Sequence, residues 1–121
     1  MRCVVWQIIM TQTFEKWFDA LGDNDRASVL AALMVLRVKG PQLPRPYADT
    51  VKGSRYNNMK ELRIQSRGEP FRVFYAFDPQ RVGILLCAGN KASHEKRFYD
   101  VMIQIADLEL THHLHKIKIK E

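Results

Sequence analysis

The sequence predicts an α+β domain: a small, mostly antiparallel sheet with an N-terminal αα-hairpin and a C-terminal helix, in the order β-α-α-β-β-β-α. Three observations carry this reading. Apolar residues recur at helical spacing across residues 14–39 and again across 96–114. Between them lie three runs of strand character, 59–65, 71–77 and 82–88, separated by turn residues. The third run, VGILLCA, is apolar at almost every position, as expected of a central strand covered on both faces. The helices are expected on one face of the sheet, with the other face able to stay open to solvent.

The elements follow in order. Residues 3–10 are β-branched and apolar and read as a first strand. In TFEKWFDALGDND, Phe14, Trp17, Phe18 and Leu21 fall at i, i+3, i+4 and i+7, one face of a helix. Thr11 or Thr13 can cap its start and Gly22 can end it. Asp23 or Asn24 then caps a second helix that runs to about Lys39, with Val29, Leu33 and Leu36 as its buried stripe and Gly40-Pro41 as its stop. Residues 40–58, with three prolines and two glycines, read as one long surface loop, a kind of segment that is often functional. The next two strands are joined by a hairpin turn at SRGEP, and the second and third by a turn at Asp78-Pro79-Gln80-Arg81. KRFYDVMIQIADLELTHHL reads as the last helix, with Phe98, Met102, Ile105 and Leu108 on its apolar side. The basic tail 115–121 is expected to be frayed or docked on a partner. The 121 residues suit one domain over their whole length.

Composition narrows the class. With 46% hydrophobic and 26% charged residues, the chain has the makeup of an ordered globular protein. The apolar run CVVWQIIM is short against the ~20 residues a span requires, so the expected location is the cytoplasm, without a membrane partner. Cys3 and Cys87 stand far apart and outside any metal spacing, and read as reduced thiols. A formal net charge of +6 favours an anionic partner.

The charge is unevenly placed. Residues 52–72 carry six cations, Lys52, Arg55, Lys60, Arg63, Arg67 and Arg72, against two acids, Glu61 and Glu69; residues 1–30 carry three cations against four acids. Strand alternation puts Glu61, Arg63 and Gln65 on one face of their strand and Leu62 and Ile64 on the other. In the partner strand, Arg72, Phe74 and Ala76 share a face. If the two polar faces coincide, Arg63 and Arg72 sit side by side, a repulsion that a bound anion would offset. The competing reading is a solvated sheet face on which Glu61 pairs one of the arginines.

Other motifs are weaker. THHLH lacks an acidic or cysteine partner at metal spacing and reads as a solvated helix end, and no metal site is assigned. KGSR, residues 52–55, could cradle a phosphate but lacks the phosphate-loop pattern. His94, after Ser93, has no nucleophile motif around it. Trp6 and Trp17 read as core residues.

Taken together, KGSR, NMKELRIQ, PFRVFYAFDP, ILLCAGNK, FY and IAD resemble the RelE/ParE toxin superfamily, in its HigB-like, phage-derived Gp49-like branch. The resemblance extends from about Val4 to Leu114. It implies a toxin of a type II toxin–antitoxin pair: a ribosome-dependent endoribonuclease that cuts mRNA without a cofactor. A HigA-like helix-turn-helix antitoxin would neutralise it, and operator DNA would be bound only through that antitoxin. RNA cleavage by a 2′-OH then needs charge stabilisation at phosphorus, a base and an acid. On this reading Arg63 and Arg72 hold the scissile phosphate and Glu61 orients an arginine. Lys60 or Lys91 is the base, Lys60 being disfavoured by its strand parity, and Tyr99 or His94 is the acid. Lys52, Arg55, Arg67, Lys96 and Arg97 grip RNA or ribosomal RNA. The alternatives are a ParE-like gyrase inhibitor on the same fold, and a non-catalytic RNA- or antitoxin-binding module.

Overall fold

The computed structural model describes residues 5–92 and 95–120. Five strands form one sheet in the order β1-β5-β4-β3-β2. They are β1 Ile8–Met10, β2 Ala48–Thr50, β3 Lys60–Ser66, β4 Glu69–Phe77 and β5 Gly83–Asn90. Strand β1 lies parallel to β5, and the other neighbours are antiparallel. Among the described residues there are three α-helices: α1 Gln12–Asp19, α2 Asp23–Lys39 and α3 Glu95–Lys120.

The helices lie on both faces of the sheet, which corrects the expectation of one covered face. On one side α1 and α2 bury Phe14, Val29, Leu33 and Leu36 against Leu62, Ile64, Phe71, Val73 and Tyr75. On the other, α3 buries Ala106 and Leu110, with Phe98, Met102 and Ile105 partly buried, against Met59, Phe74, Ala76, Ile84, Leu86 and Cys87. The largely apolar β5 supplies side chains to both layers, as its composition requires. One irregularity assists it. Between Phe74 and Tyr75 the register skips from Cys87 to Leu85, so a bulge at Leu86 places both Leu86 and Cys87 in the α3 layer.

Local chemistry sets the element ends. Thr11, not Thr13, caps α1: its Oγ1 accepts from the Phe14 N–H at 3.0 Å and donates to the Leu86 carbonyl at 2.8 Å. Gly22 has ordinary extended backbone and serves as the N-cap of α2, a position expected of Asp23 or Asn24. Gly40 ends α2 at φ 63° with the Trp6 ring against its Cα, where a Cβ has no room. The β3–β4 turn is two residues, Arg67 at φ 50° and Gly68 at φ 81°, the positive-φ pair that matches strand twist.

Two further expectations change. Residues 40–58 are not one loop, because β2 lies inside them and pairs Ala48 with Leu62 and Thr50 with Lys60. The tail from residue 115 continues as the last turns of α3, up to Lys120. Of the first strand expected at 3–10, residues 8–10 are strand, and residues 1–4 lie outside the described residues. Trp17 packs on the α1–α2 core, edge-on to Phe71. Trp6 is half-buried between Phe77 and the Arg81 guanidinium.

Candidate functional site

Strand register brings the two arginines together. Arg63 and Arg72 are direct cross-strand partners, and both lie on the α3 face by alternation from the buried Leu62 and Val73. Glu61, on the same face, is buried between them. Its Oε2 accepts from Arg63 Nη2 at 3.3 Å and Nε at 3.4 Å. Its Oε1 accepts from the Tyr99 hydroxyl at 2.6 Å and stands 3.9 Å from Arg72 Nε. Arg72 Nη1 donates to the Phe71 carbonyl at 2.9 Å, while its buried Nε has no hydrogen-bond partner among the described residues.

A second carboxylate braces Arg63 from β2. Asp49 Oδ2 is 3.2 Å from Arg63 Nη2, and its Oδ1 is 3.1 Å from Arg45 Nε. The hydrogen bond from Arg45 holds the Asp49 carboxyl below its usual range. The repulsion between the arginines is thus offset by Glu61 and Asp49 within the chain. A bound anion is not needed to explain their proximity, and the face is covered by α3 rather than solvated. Arg63 keeps 36% of its side chain exposed and Arg72 only 10%, so Arg63 is the one that solvent or a ligand reaches readily.

Tyr99 comes from the second turn of α3. Burial, reinforced by the adjacent Glu61 carboxylate, pushes its phenol up to about 12. It is therefore a neutral O–H donor at any physiological pH. Beside it runs a shallow groove of about 450 Å³ between α3 and the loop before β3, lined by Lys52, Gly53, Lys96, Tyr99, Ile103 and Asp107 among others. Lys52 and Lys96 thus share one groove with the phenol.

The remaining predicted residues are placed as follows. Lys60 pairs with Tyr75 and shares the parity of Leu62, on the opposite face from Arg63, so the fold does not bring it to the cluster. Lys91 follows β5, on the same parity as Gly89, which opposes Arg72. Its Nζ is 3.2 Å from Glu95 Oε1. Arg67 points away from the cluster, to Asp25 at the start of α2. Arg55 stacks over Tyr56, with its guanidinium 5.5 Å from the ring centroid. Arg97 is exposed on α3. His94 lies outside the described residues. KGSR is not a vacant phosphate cradle, because Asp107 fills it: Ser54 Oγ donates to Asp107 Oδ1 at 2.5 Å and the Arg55 N–H to Oδ2 at 3.2 Å. Nor is THHLH a wholly solvated end, since His113 Nε2 lies 2.9 Å from the buried Asp78 carboxylate.

Sequence reasoning missed Asp49, Arg45 and Asp107. The first two sit on or beside a three-residue strand that is too short to show alternation. Asp107 is one acid among several on a long helix, and only the packing of the loop singles it out.

A five-stranded sheet between an αα-hairpin and a C-terminal helix is the architecture of RelE toxins. The fold matches a mutant Escherichia coli toxin RelE in the free state, with a TM-score of 0.56 at 15% identity, covering 81% of this chain and 96% of that one. It also matches the RelBE2 toxin–antitoxin complex of Mycobacterium tuberculosis (TM-score 0.54, 18% identity, 72% and 99% covered) and an archaeal RelE–RelB complex from Pyrococcus horikoshii (0.54, 16%, 74% and 99%). Within that class the chain belongs to the phage-derived Gp49-like family, which matches residues 16–111, and it is a HigB-like member. Two relatives from Mycobacterium tuberculosis are each 46% identical to it. One is named as toxin HigB3, aligned over 83% of this chain and 86% of its own length; the other is named as toxin HigB2, over 81% and 49%.

Proposed function

We propose that the chain is the toxin of a type II toxin–antitoxin pair and acts as a ribosome-dependent mRNA endoribonuclease, neutralised by a HigA-like helix-turn-helix antitoxin. The observation that carries the reading is the cluster of Arg63, Arg72, Glu61 and Tyr99 at the edge of a groove lined by Lys52 and Lys96.

Each group has a role that its geometry supports. Attack of a ribose 2′-OH builds negative charge on the phosphate oxygens. Arg63 keeps 36% of its side chain exposed, and the buried Arg72 Nε has no acceptor among the described residues. Fixed donors of this kind stabilise charge as it develops. Glu61 accepts a hydrogen bond from Arg63 and stands 3.9 Å from Arg72 Nε, between the two guanidinium groups. The Tyr99 phenol, kept neutral, can give its proton to the leaving 5′-oxygen. Lys91 is the base candidate on the correct face, and its pairing with Glu95 would have to open first. Lys52 and Lys96 would hold the backbone on either side.

The test is induced expression of the wild-type chain and of Arg63→Ala/Arg72→Ala in bacteria, with growth scored and mRNA 5′ ends mapped. The expected result is growth arrest with cuts inside translated codons, lost in the double variant. A single arginine removed should cost about 10²–10³-fold in cleavage. Arrest without mRNA cuts would redirect the reading to a gyrase inhibitor. No arrest in either strain would leave a binding module.

A further inference from the structure

The loop before β2 sets an aromatic ring and a cation beside the arginine pair. Ala48 and its strand partner Leu62 face the α1–α2 layer, so Tyr47 and Asp49 face the other way. The ladder continues one residue ahead of β2, where the Arg63 N–H donates to the Tyr47 carbonyl at 2.8 Å. Tyr47 therefore stands opposite Arg63 on one side, as Arg72 does on the other. It is 57% exposed and belongs to neither buried layer, whereas Tyr56, Tyr75 and Tyr99 each belong to one. The fold has no evident use for this ring. Arg45 is 75% exposed, and its Nε lies 3.1 Å from Asp49 Oδ1, on the carboxylate whose other oxygen takes Arg63. One carboxylate thus holds two guanidinium groups side by side. An arginine held through Nε keeps both Nη groups for another acceptor.

We infer that Tyr47 and Arg45 form a subsite for one nucleotide of single-stranded RNA, next to the phosphate held by Arg63 and Arg72. The base stacks on the Tyr47 ring and its phosphate meets Arg45; the inference rests on the nuclease reading of the arginine pair. An exposed ring among cations is the usual means of holding a single strand, because every base has a face to stack and every linkage a charge. Charge favours RNA over a protein here: Arg45, Arg63 and Arg72 outnumber Asp49 and Glu61 in the cluster. The apolar surface is also too small for a protein interface, whose core gathers several apolar side chains. Tyr47 is the one exposed large hydrophobic described between residues 39 and 100. The loop is held ready for a ligand. The N–H groups of Tyr47 and Ala48 both donate to the Pro44 carbonyl at 3.1 Å, Leu43 is buried in the core, and Pro44 and Pro46 restrict the backbone. Little ordering is left for binding to oppose.

Stacking is tolerant of sequence, so the subsite adds affinity without choosing a base. Tyr47 and Arg45 are binding residues that touch neither the attacking nor the leaving oxygen. Their loss should fall on the half-saturating concentration in cleavage rather than on the maximal rate, the reverse of Arg63→Ala.

The experiment titrates the purified full chain into a short single-stranded RNA that carries 2-aminopurine at alternate positions and 2′-O-methyl riboses to block cleavage. Quenching of the 2-aminopurine reports stacking. Wild type and Tyr47→Phe should quench it. Tyr47→Ala should bind about tenfold more weakly and quench little, with an unchanged thermal melt because the ring is exposed. Arg45→Ala should flatten the dependence of log affinity on log salt by about 0.7. No quenching by the wild type, or equal quenching by Tyr47→Ala, would overturn the subsite. So would a Tyr47→Ala chain that keeps its RNA affinity and loses only its antitoxin, since the ring would then serve a protein partner. Cleavage of mRNA on ribosomes scores the nuclease reading separately. A wild type that quenches without cutting would remove that reading and keep the RNA subsite. One that cuts, with half-saturation unchanged in Tyr47→Ala, would do the reverse.

Discussion

Tyr75 and Tyr99 are both shielded phenols with opposite fortunes. The Tyr75 hydroxyl is buried in the α1–α2 layer with no hydrogen-bond partner among the described residues, whereas that of Tyr99 donates to Glu61. Tyr75→Phe removes an unpaired polar atom and keeps the ring. It should leave stability unchanged or raise it by about 1 kcal/mol, measured as a shift in urea midpoint at constant m-value. Tyr99→Phe should preserve the fold and suppress RNA cleavage, and a variant that cleaves RNA normally would remove Tyr99 from the acid role. Burial also raises Tyr75, and it raises the Cys87 thiol from 9.0 to about 12, as Tyr99 rises from 10.0 to about 12. Groups with folded values above their unfolded ones stabilise the protein below the unfolded values. That contribution is lost as pH rises towards the folded ones. Stability should therefore decline from about pH 9 upward, and less steeply in Tyr75→Phe, as read from denaturation midpoints across alkaline buffers. The arginine pair was legible at this scale because strand alternation is a strict period of two. The Asp49 brace was not, because a carboxylate 14 positions away in sequence carries no mark of its pairing with Arg63.

At the scale of elements, α3 is held down at both ends by polar contacts. Near its start Tyr99 reaches Glu61, and near its end His113 reaches Asp78. The Asp78 carboxylate also caps the β4–β5 turn, accepting from the N–H groups of Gln80 at 2.8 Å and Val82 at 3.0 Å. His113→Ala leaves that turn intact and frees one end of the helix. It should cost about 1–2 kcal/mol and speed amide exchange in the last turns of α3, with little change in β3 and β4. The strands β3, β4 and β5 were readable from composition and turn residues to within two or three positions. Three features were not. Strand β2 is too short for periodicity, the bulge at Leu86 leaves no trace in an all-apolar run, and the face that α3 covers depends on the crossover after β5. An apolar stripe shows only that a helix is covered, and both sheet layers were equally apolar.

For the whole molecule, the positive charge proves less concentrated than the residue count suggests. Arg63, Arg67 and Lys91 each have an acidic partner within 3.3 Å, which leaves Lys52 and Lys96 on the groove as the better candidates for backbone contacts. Lys52→Ala/Lys96→Ala should weaken RNA binding uniformly across sequences. It should also flatten the dependence of log affinity on log salt by about 1.4, at ~0.7 per single-strand phosphate contact, as read by titration at several salt concentrations. An unchanged slope would move the contacts elsewhere. The sheet itself adds a last consequence. Its strands turn alternate side chains to opposite layers, so the polar cluster and the outer surface of α2 share no side chain. Substitutions on the outer surface of that helix therefore leave the contacts beneath α3 unchanged. The two layers of the molecule can thus change one at a time.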